Sequence, residues 1–230
     1  ADMALPVRND LPSRTFPWVT LSLLVINIVV FLFIQPAGFQ TNGGDPSQFR
    51  RVAAEQEEFA YRWGSVACEL TTGDTVVNDP SGCKGERGDY LPGSKSILLA
   101  LLTSLFLHAG IDHLAGNMLF LWVFGHNVED RLGHGIFLAL YLVGGIAATL
   151  GFVAANTSSA VPLIGASGAI AVAMGAFLVL FPRARILTII TTAAFQVVYV
   201  PAAVVLALFF VTQWLTTDDR VAWEAHAAGM

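Results

Sequence analysis

Long apolar runs without charge alternate with short polar stretches along this chain, and their lengths match helices that cross a bilayer core of about 30 Å. Residues 16–34 form the first run. Residues 35–96 are then a long polar loop rich in Gly and acids, with a short amphipathic helix expected near 49–61. The apolar run 97–107 is placed at or in the interface, and the second span is expected from about Gly110. A tight polar turn over 125–135, carrying Glu129, Asp130 and Arg131, precedes a third span over 136–155. A fourth apolar run follows the polar turn 156–160 and ends near Phe181, before Pro182 and Arg183. Residues 186–215 would make about 45 Å of continuous helix, too long for one span. Pro201 suits a first helical turn, so the fifth span is expected to start there, with the β-branched stretch before it at the interface. Residues 221–230 open a sixth helix that is too short to span.

The predicted fold is an all-α polytopic membrane protein of six helices, the sixth truncated at the C-terminus. Residues 1–15 are a polar N-terminal segment, and 16–230 form one membrane domain containing the long loop 35–96. Composition agrees: 55% of the 230 residues are hydrophobic and 13% charged, against about 25% charged in soluble domains. Mean hydropathy is +0.64. The net charge of -5 argues against a nucleic-acid partner. The first apolar run is long enough to be a retained span rather than a cleaved signal, and Met3 suggests that Ala1-Asp2 is a remnant. With the N-terminus in the cytoplasm, Arg8, Arg14, Arg131, Arg183 and Arg185 all fall inside, and only Arg220 stands in a short external loop. That topology puts Ser167 and His226 at one depth, about a turn below the external face of a cell membrane.

Ser167 lies in Val161-Pro-Leu-Ile-Gly-Ala-Ser-Gly-Ala169, where the fourth span begins. The unpaired N–H groups and positive dipole end of a helix start would stabilise an oxyanion beside it. Gly165, Ala166, Gly168 and Ala169 leave room for a helix or a substrate backbone. A serine in such a place also serves simply to pack, or bonds its own helix. An ionisable His226 inside an apolar helix is a candidate general base toward Ser167; the alternative is a buried histidine bonded to a carbonyl. His113 and Asn117, four apart, share a helix face and are candidate oxyanion donors beside the Ser167 N–H, or else helix-to-helix glue. His108 either orients the loop or faces headgroups.

Five segments together closely resemble the bacterial branch of the rhomboid intramembrane serine proteases. They are Thr103-Ser-Leu-Phe-Leu-His108, His113-Leu-Ala-Gly-Asn117-Met-Leu-Phe-Leu-Trp-Val-Phe-Gly125, Val128-Glu-Asp-Arg-Leu-Gly133, Gly165-Ala-Ser-Gly-Ala169 and Val221-Ala-Trp-Glu-Ala-His226. The resemblance implies Ser167 as nucleophile, His226 as base, and His113 with Asn117 in the oxyanion hole. It also implies cleavage of transmembrane protein substrates within the lipid bilayer, near its external face, with no metal and no cofactor. Two departures stand out: Leu99-Ala100 replaces a Trp-Arg pair of many relatives, and Ala171 stands where some carry a tyrosine against the base.

Other intramembrane chemistries lack their marks. There is no His-Glu-x-x-His for zinc, and Gly73-Asp74 sits in the polar loop. A non-proteolytic member that captures helices would be favoured by loss of Ser or His, and a transporter by internal repeats; neither sign is present. Substrate identity and oligomeric state are not legible. Cys68 and Cys83, the only cysteines, both fall in the loop placed outside, where either a disulfide or two free thiols is compatible with the spacing.

Overall fold

The computed structural model describes residues 3–36, 46–73, 75, 95–191, 195–215, 226, 228 and 229. The chain is mostly helical, as a helical membrane fold requires. Helix α1 (Trp18–Val29) continues through a π-helical turn, Val30–Ile34. In the long loop, α2 (Pro46–Trp63) is the expected amphipathic helix. The short strand β2 (Ser65–Val66) and helix α3 (Ala67–Thr72) follow it. Helix α4 (Ile97–Thr103) ends in a 3-10 turn, Ser104–Phe106. Helix α5 (Ile111–Phe120) passes through a π-helical turn, Leu121–Gly125, into α6 (His126–Leu132). Then come α7 (His134–Ala155), strand β3 (Pro162–Leu163) and α8 (Ser167–Leu180). Strands β4 (Arg185–Thr191) and β5 (Phe195–Pro201) lead into α9 (Ala202–Leu215).

Among the described residues, α7 is long and apolar enough to cross a membrane alone. Ile97–Phe106 and Ile111–Leu132 pass that test together but are bent by 80° at the break, and Trp18–Ile34, Ser167–Leu180 and Ala202–Thr212 are shorter apolar helices. The 80° bend agrees with a second span that starts near Gly110, with 97–107 running across its end. Residues 125–135 are not a tight turn. The helix continues to Leu132 because His-Asn-Val-Glu-Asp-Arg-Leu holds no breaker, and the chain reverses at Gly133, whose φ is +84°.

The polar N-terminal segment and the β-branched stretch before Pro201 form strands: β1 (Met3–Asn9) pairs antiparallel with β4, and β4 with β5, in a three-stranded sheet. β4 and β5 are rich in Ile, Val and Thr, whose branched side chains suit a pleated surface. The inward face of β4 buries Ile186 and Thr188, and Ile186 joins the bundle core. Asn9 anchors β1 by donating to the Val123 carbonyl and to Asn127 Oδ1, both at 2.6 Å.

The main core joins α1, α5 to α8 and α9 around Leu121, Phe124, Phe137, Tyr141, Ile170 and Phe177, all at most 2% exposed. α7 and α8 approach closely because Gly144 and Gly145 face them: a methyl at Gly145 would lie 2.8 Å from Ala169 Cβ. Two carboxylates of α6 hold the start of α1. Glu129 accepts from the N–H groups of Val19 (2.8 Å) and Thr20 (2.7 Å) and from the Thr20 hydroxyl, serving first-turn donors that no helical carbonyl reaches. Asp130 accepts from the N–H groups of Arg14 and Thr15 and from the Thr15 hydroxyl. With Asp10 accepting from the Arg185 N–H, these bonds gather residues 8–15, 126–132 and 183–185 at the end of the bundle away from the start of α8.

The long loop is tied to the segment leading into α8. β2 pairs with β3, the Cys68 N–H donates to the Ser159 carbonyl at 3.0 Å, and the Thr71 hydroxyl to that of Thr157. Cys68 is buried and disulfide-bonded. Cys83 lies outside the described residues. Lys95, just before α4, pairs with Glu69 of α3, and both side chains are closed to solvent. Burial lowers the Lys95 pKa, against the opposing pull of Glu69. Removing one member of a buried pair typically costs about 3–5 kcal/mol, whereas replacing both with apolar groups is often neutral. Lys95→Met is therefore expected to lower the melting temperature of the purified protein markedly, and Lys95→Met with Glu69→Leu to recover most of it. Equal melting of the single and double variants would show that the pair does not couple.

Candidate active site

Three elements bring Ser167 to its place. β3, held by β2, delivers the chain to Gly165, whose N–H donates to the Ser104 carbonyl at 2.9 Å. Gly165 has φ +136°, a conformation L side chains rarely adopt. A side chain would also crowd the histidine: a methyl there would lie 3.0 Å from His113 Cε1, 3.1 Å from His113 Nε2 and 3.5 Å from Ser167 Oγ. The chain then turns into α8, with Ser167 as its first residue and its side chain half-buried. The N–H groups of this first turn have no carbonyl one turn earlier, as the sequence pattern suggested.

Gly165 is thus flanked by both Ser167 Oγ and the His113 ring. Of the His113 nitrogens, Nδ1 accepts from the Ala109 N–H at 3.4 Å. That bond assigns the neutral ring's proton to Nε2, the nitrogen beside Gly165. His108 packs against His113 with centroids 5.2 Å apart, and it is 1% exposed. Its backbone is clamped at both polar atoms by Gln35: the His108 N–H donates to Gln35 Oε1 and Gln35 Nε2 donates to the His108 carbonyl, each at 2.9 Å. These bonds fix the His108 backbone, while its ring is buried against His113. Gln35 was missed from sequence, and its only signal was an amide directly after an apolar run.

Asn117, one turn beyond His113 on α5, is buried, and its Nδ2 has no hydrogen-bond partner among the described residues. A glue role between helices would give that amide an acceptor. An unserved buried donor costs roughly 1–3 kcal/mol.

His226 is helical and 7% exposed, with Nδ1 buried and without a partner among the described residues. Its segment reaches α8 through Gly229: a methyl there would lie 2.7 Å from the Gly168 carbonyl oxygen and 3.0 Å from Ala171 Cβ. Gly168 in turn touches α7, where Ala148 Cβ would meet a methyl at 3.0 Å. The structure therefore brings Ser167, His113 and Gly165 together and seats the His226 segment on the residue after the serine. No hydrogen bond joins Ser167 to His226 among the described residues.

A family model described as the rhomboid domain matches residues 95–230. The chain belongs to the rhomboid family. Over 78 residues it is 49% identical to the rhomboid protease GluP of Bacillus subtilis (strain 168), a stretch covering 34% of this chain and 15% of that protein. It is 35% identical over 97 residues to the mitochondrial presenilin-associated rhomboid-like protein A of Danio rerio, covering 41% and 25%. Rhomboid protein 1, mitochondrial, of Saccharomyces cerevisiae (strain ATCC 204508 / S288c) is 38% identical over 93 residues, covering 39% and 27%. The matches thus span about a quarter or less of the relatives' own length. Family membership makes the chain a membrane protein of a kind that acts, in general, as a serine protease within the bilayer.

Proposed function

We propose that this rhomboid is an intramembrane serine endopeptidase with Ser167 as nucleophile and His226 as its base. The observation that carries the reading is the pairing at Gly165: a serine at a helix start, with a histidine N–H donor and an unserved Asn117 amide on the facing helix. In this mechanism Ser167 Oγ attacks the scissile carbonyl carbon while its proton passes to His226 Nε2. The negative charge that forms on the carbonyl oxygen is bound by the Ser167 N–H, His113 Nε2–H and Asn117 Nδ2–H. The tetrahedral species collapses, the C–N bond breaks, and His226 returns the proton to the leaving amine. Water, deprotonated by His226, then cleaves the acyl ester and restores the serine. The chemistry calls for no metal and no cofactor.

Substrates are transmembrane proteins, cut near the external face of the cell membrane. The N-terminus is cytoplasmic, and His226 belongs to a sixth spanning helix. The clustering of residues 8–15, 126–132 and 183–185 at one end supports this topology, since it gathers Arg8, Arg14, Arg131, Arg183 and Arg185 on one side. An impermeant thiol reagent on intact cells is expected to label a cysteine placed at Asp79 and to miss one at Arg183; the reverse pattern overturns the orientation. The activity is tested by incubating the full-length protein in vesicles with a panel of single-span membrane proteins and mapping the cuts by mass spectrometry. Cuts within or beside the spanning segment are expected. An intact panel, with a serine-directed fluorophosphonate also failing to label Ser167, would overturn the reading.

A further inference from the structure

An imidazole acts as a base only if its ring is held with one nitrogen toward the nucleophile. The described residues supply no hydrogen bond to His226 Nδ1. One turn beyond Ser167, α8 presents Ala171, a fully buried methyl with no ring to lay against the histidine. What does meet the imidazole is Phe209 of α9, with ring centroids 5.9 Å apart and planes at 40°. That separation is within the 4.5–7 Å range of favourable aromatic pairs.

Phe209 is itself held. Its ring packs on Phe120 of α5 with centroids 5.0 Å apart. Phe120 stacks on Phe124 at 6.0 Å, and Phe124 meets Phe177 of α8 edge-on at 5.1 Å. The row of rings runs from the helix that starts at Ser167, through the helix carrying His113 and Asn117, to His226. From this juxtaposition we infer that Phe209 is the positioning residue for the base, limiting imidazole rotation in place of a hydrogen-bonded third member. The inference rests on the reading of Ser167 and His226 as nucleophile and base. Phe209 acts through His226, and through Phe120 it registers the base against the oxyanion donors.

The test uses the full-length protein in vesicles, the rate of fluorophosphonate labelling of Ser167, and the His226 ring-proton resonance in protein carrying isotope-labelled histidine. Phe209→Leu keeps the apolar bulk and removes the ring, and Phe209→Tyr keeps the ring. Phe209→Leu is expected to slow labelling about 10- to 100-fold, the scale of a small misplacement of a reacting group, and to shift the His226 resonance as the neighbouring ring current is lost. Phe209→Tyr is expected to restore most of the rate and the resonance. Parental labelling by Phe209→Leu, while His226→Ala does not label, overturns the inference and leaves the Ser–His reading standing. Slowed labelling with an unmoved His226 resonance assigns Phe209 to packing alone and overturns it as well. Parental labelling by His226→Ala removes the base itself, and the inference falls with it.

Discussion

Ser167→Ala and His226→Ala are each expected to abolish proteolysis and fluorophosphonate labelling while the protein still inserts and keeps its melting temperature. In soluble serine proteases, removal of either member costs roughly a million-fold in turnover, because the two act as one unit. The same coupling predicts that the double variant is no worse than either single one. Neither change should cost much stability. Ser167 makes no side-chain hydrogen bond among the described residues, and a methyl fits where its half-buried Cβ already lies. His226 is buried without a partner at Nδ1, so its removal frees a polar atom that burial penalises. Cleavage at the parental rate by either variant, with normal folding, would remove that residue from the chemistry.

Asn117→Ala carries the next largest expected effect, a loss of about 100- to 1000-fold in kcat, with KM changed much less, as for loss of one oxyanion donor among several. The buried, unserved Nδ2 gives this prediction its second half. Since no described residue accepts from that amide in the resting protein, its removal is expected to leave the melting temperature unchanged or to raise it. A structural amide bonded across helices would behave in the opposite way, losing stability along with activity. Asn117→Asp offers a further contrast: it keeps the volume but places a carboxylate where negative charge must develop, so it is expected to be at least as inactive as the alanine variant. Full activity of Asn117→Ala with unaltered folding would take Asn117 out of the site.

Much of this site was legible before any folding was considered. A helix start is written in local chemistry: a breaker-rich Pro162-to-Gly165 stretch followed by an unbroken apolar run puts Ser167 in the first turn of α8, where it stands. The four-residue spacing of His113 and Asn117 likewise sets them one turn apart on α5. The hydrophobic runs located α1, α7, α8 and α9 because in each the apolar stretch is itself the helix. Where pattern and element part company, long-range partners decided. Residues 3–9 are too ordinary alone to declare a strand, and they join the sheet only by pairing with β4 across more than 170 residues of chain, whereas β4 and β5 pair locally.

The chain by itself determined the chemistry available: one serine among small residues, with histidines and an asparagine in apolar surroundings. Those are properties of residue type and near spacing, which the backbone period converts directly into faces and ends. Only the tertiary structure decided which nitrogen of His113 faces Gly165, that Gln35 clamps His108, that Glu69 and Lys95 share a closed site, and that Phe209 meets the His226 ring. Each depends on two segments distant in sequence approaching within a few ångströms. Side-chain direction at such a contact follows from how whole helices pack, and no local pattern encodes it.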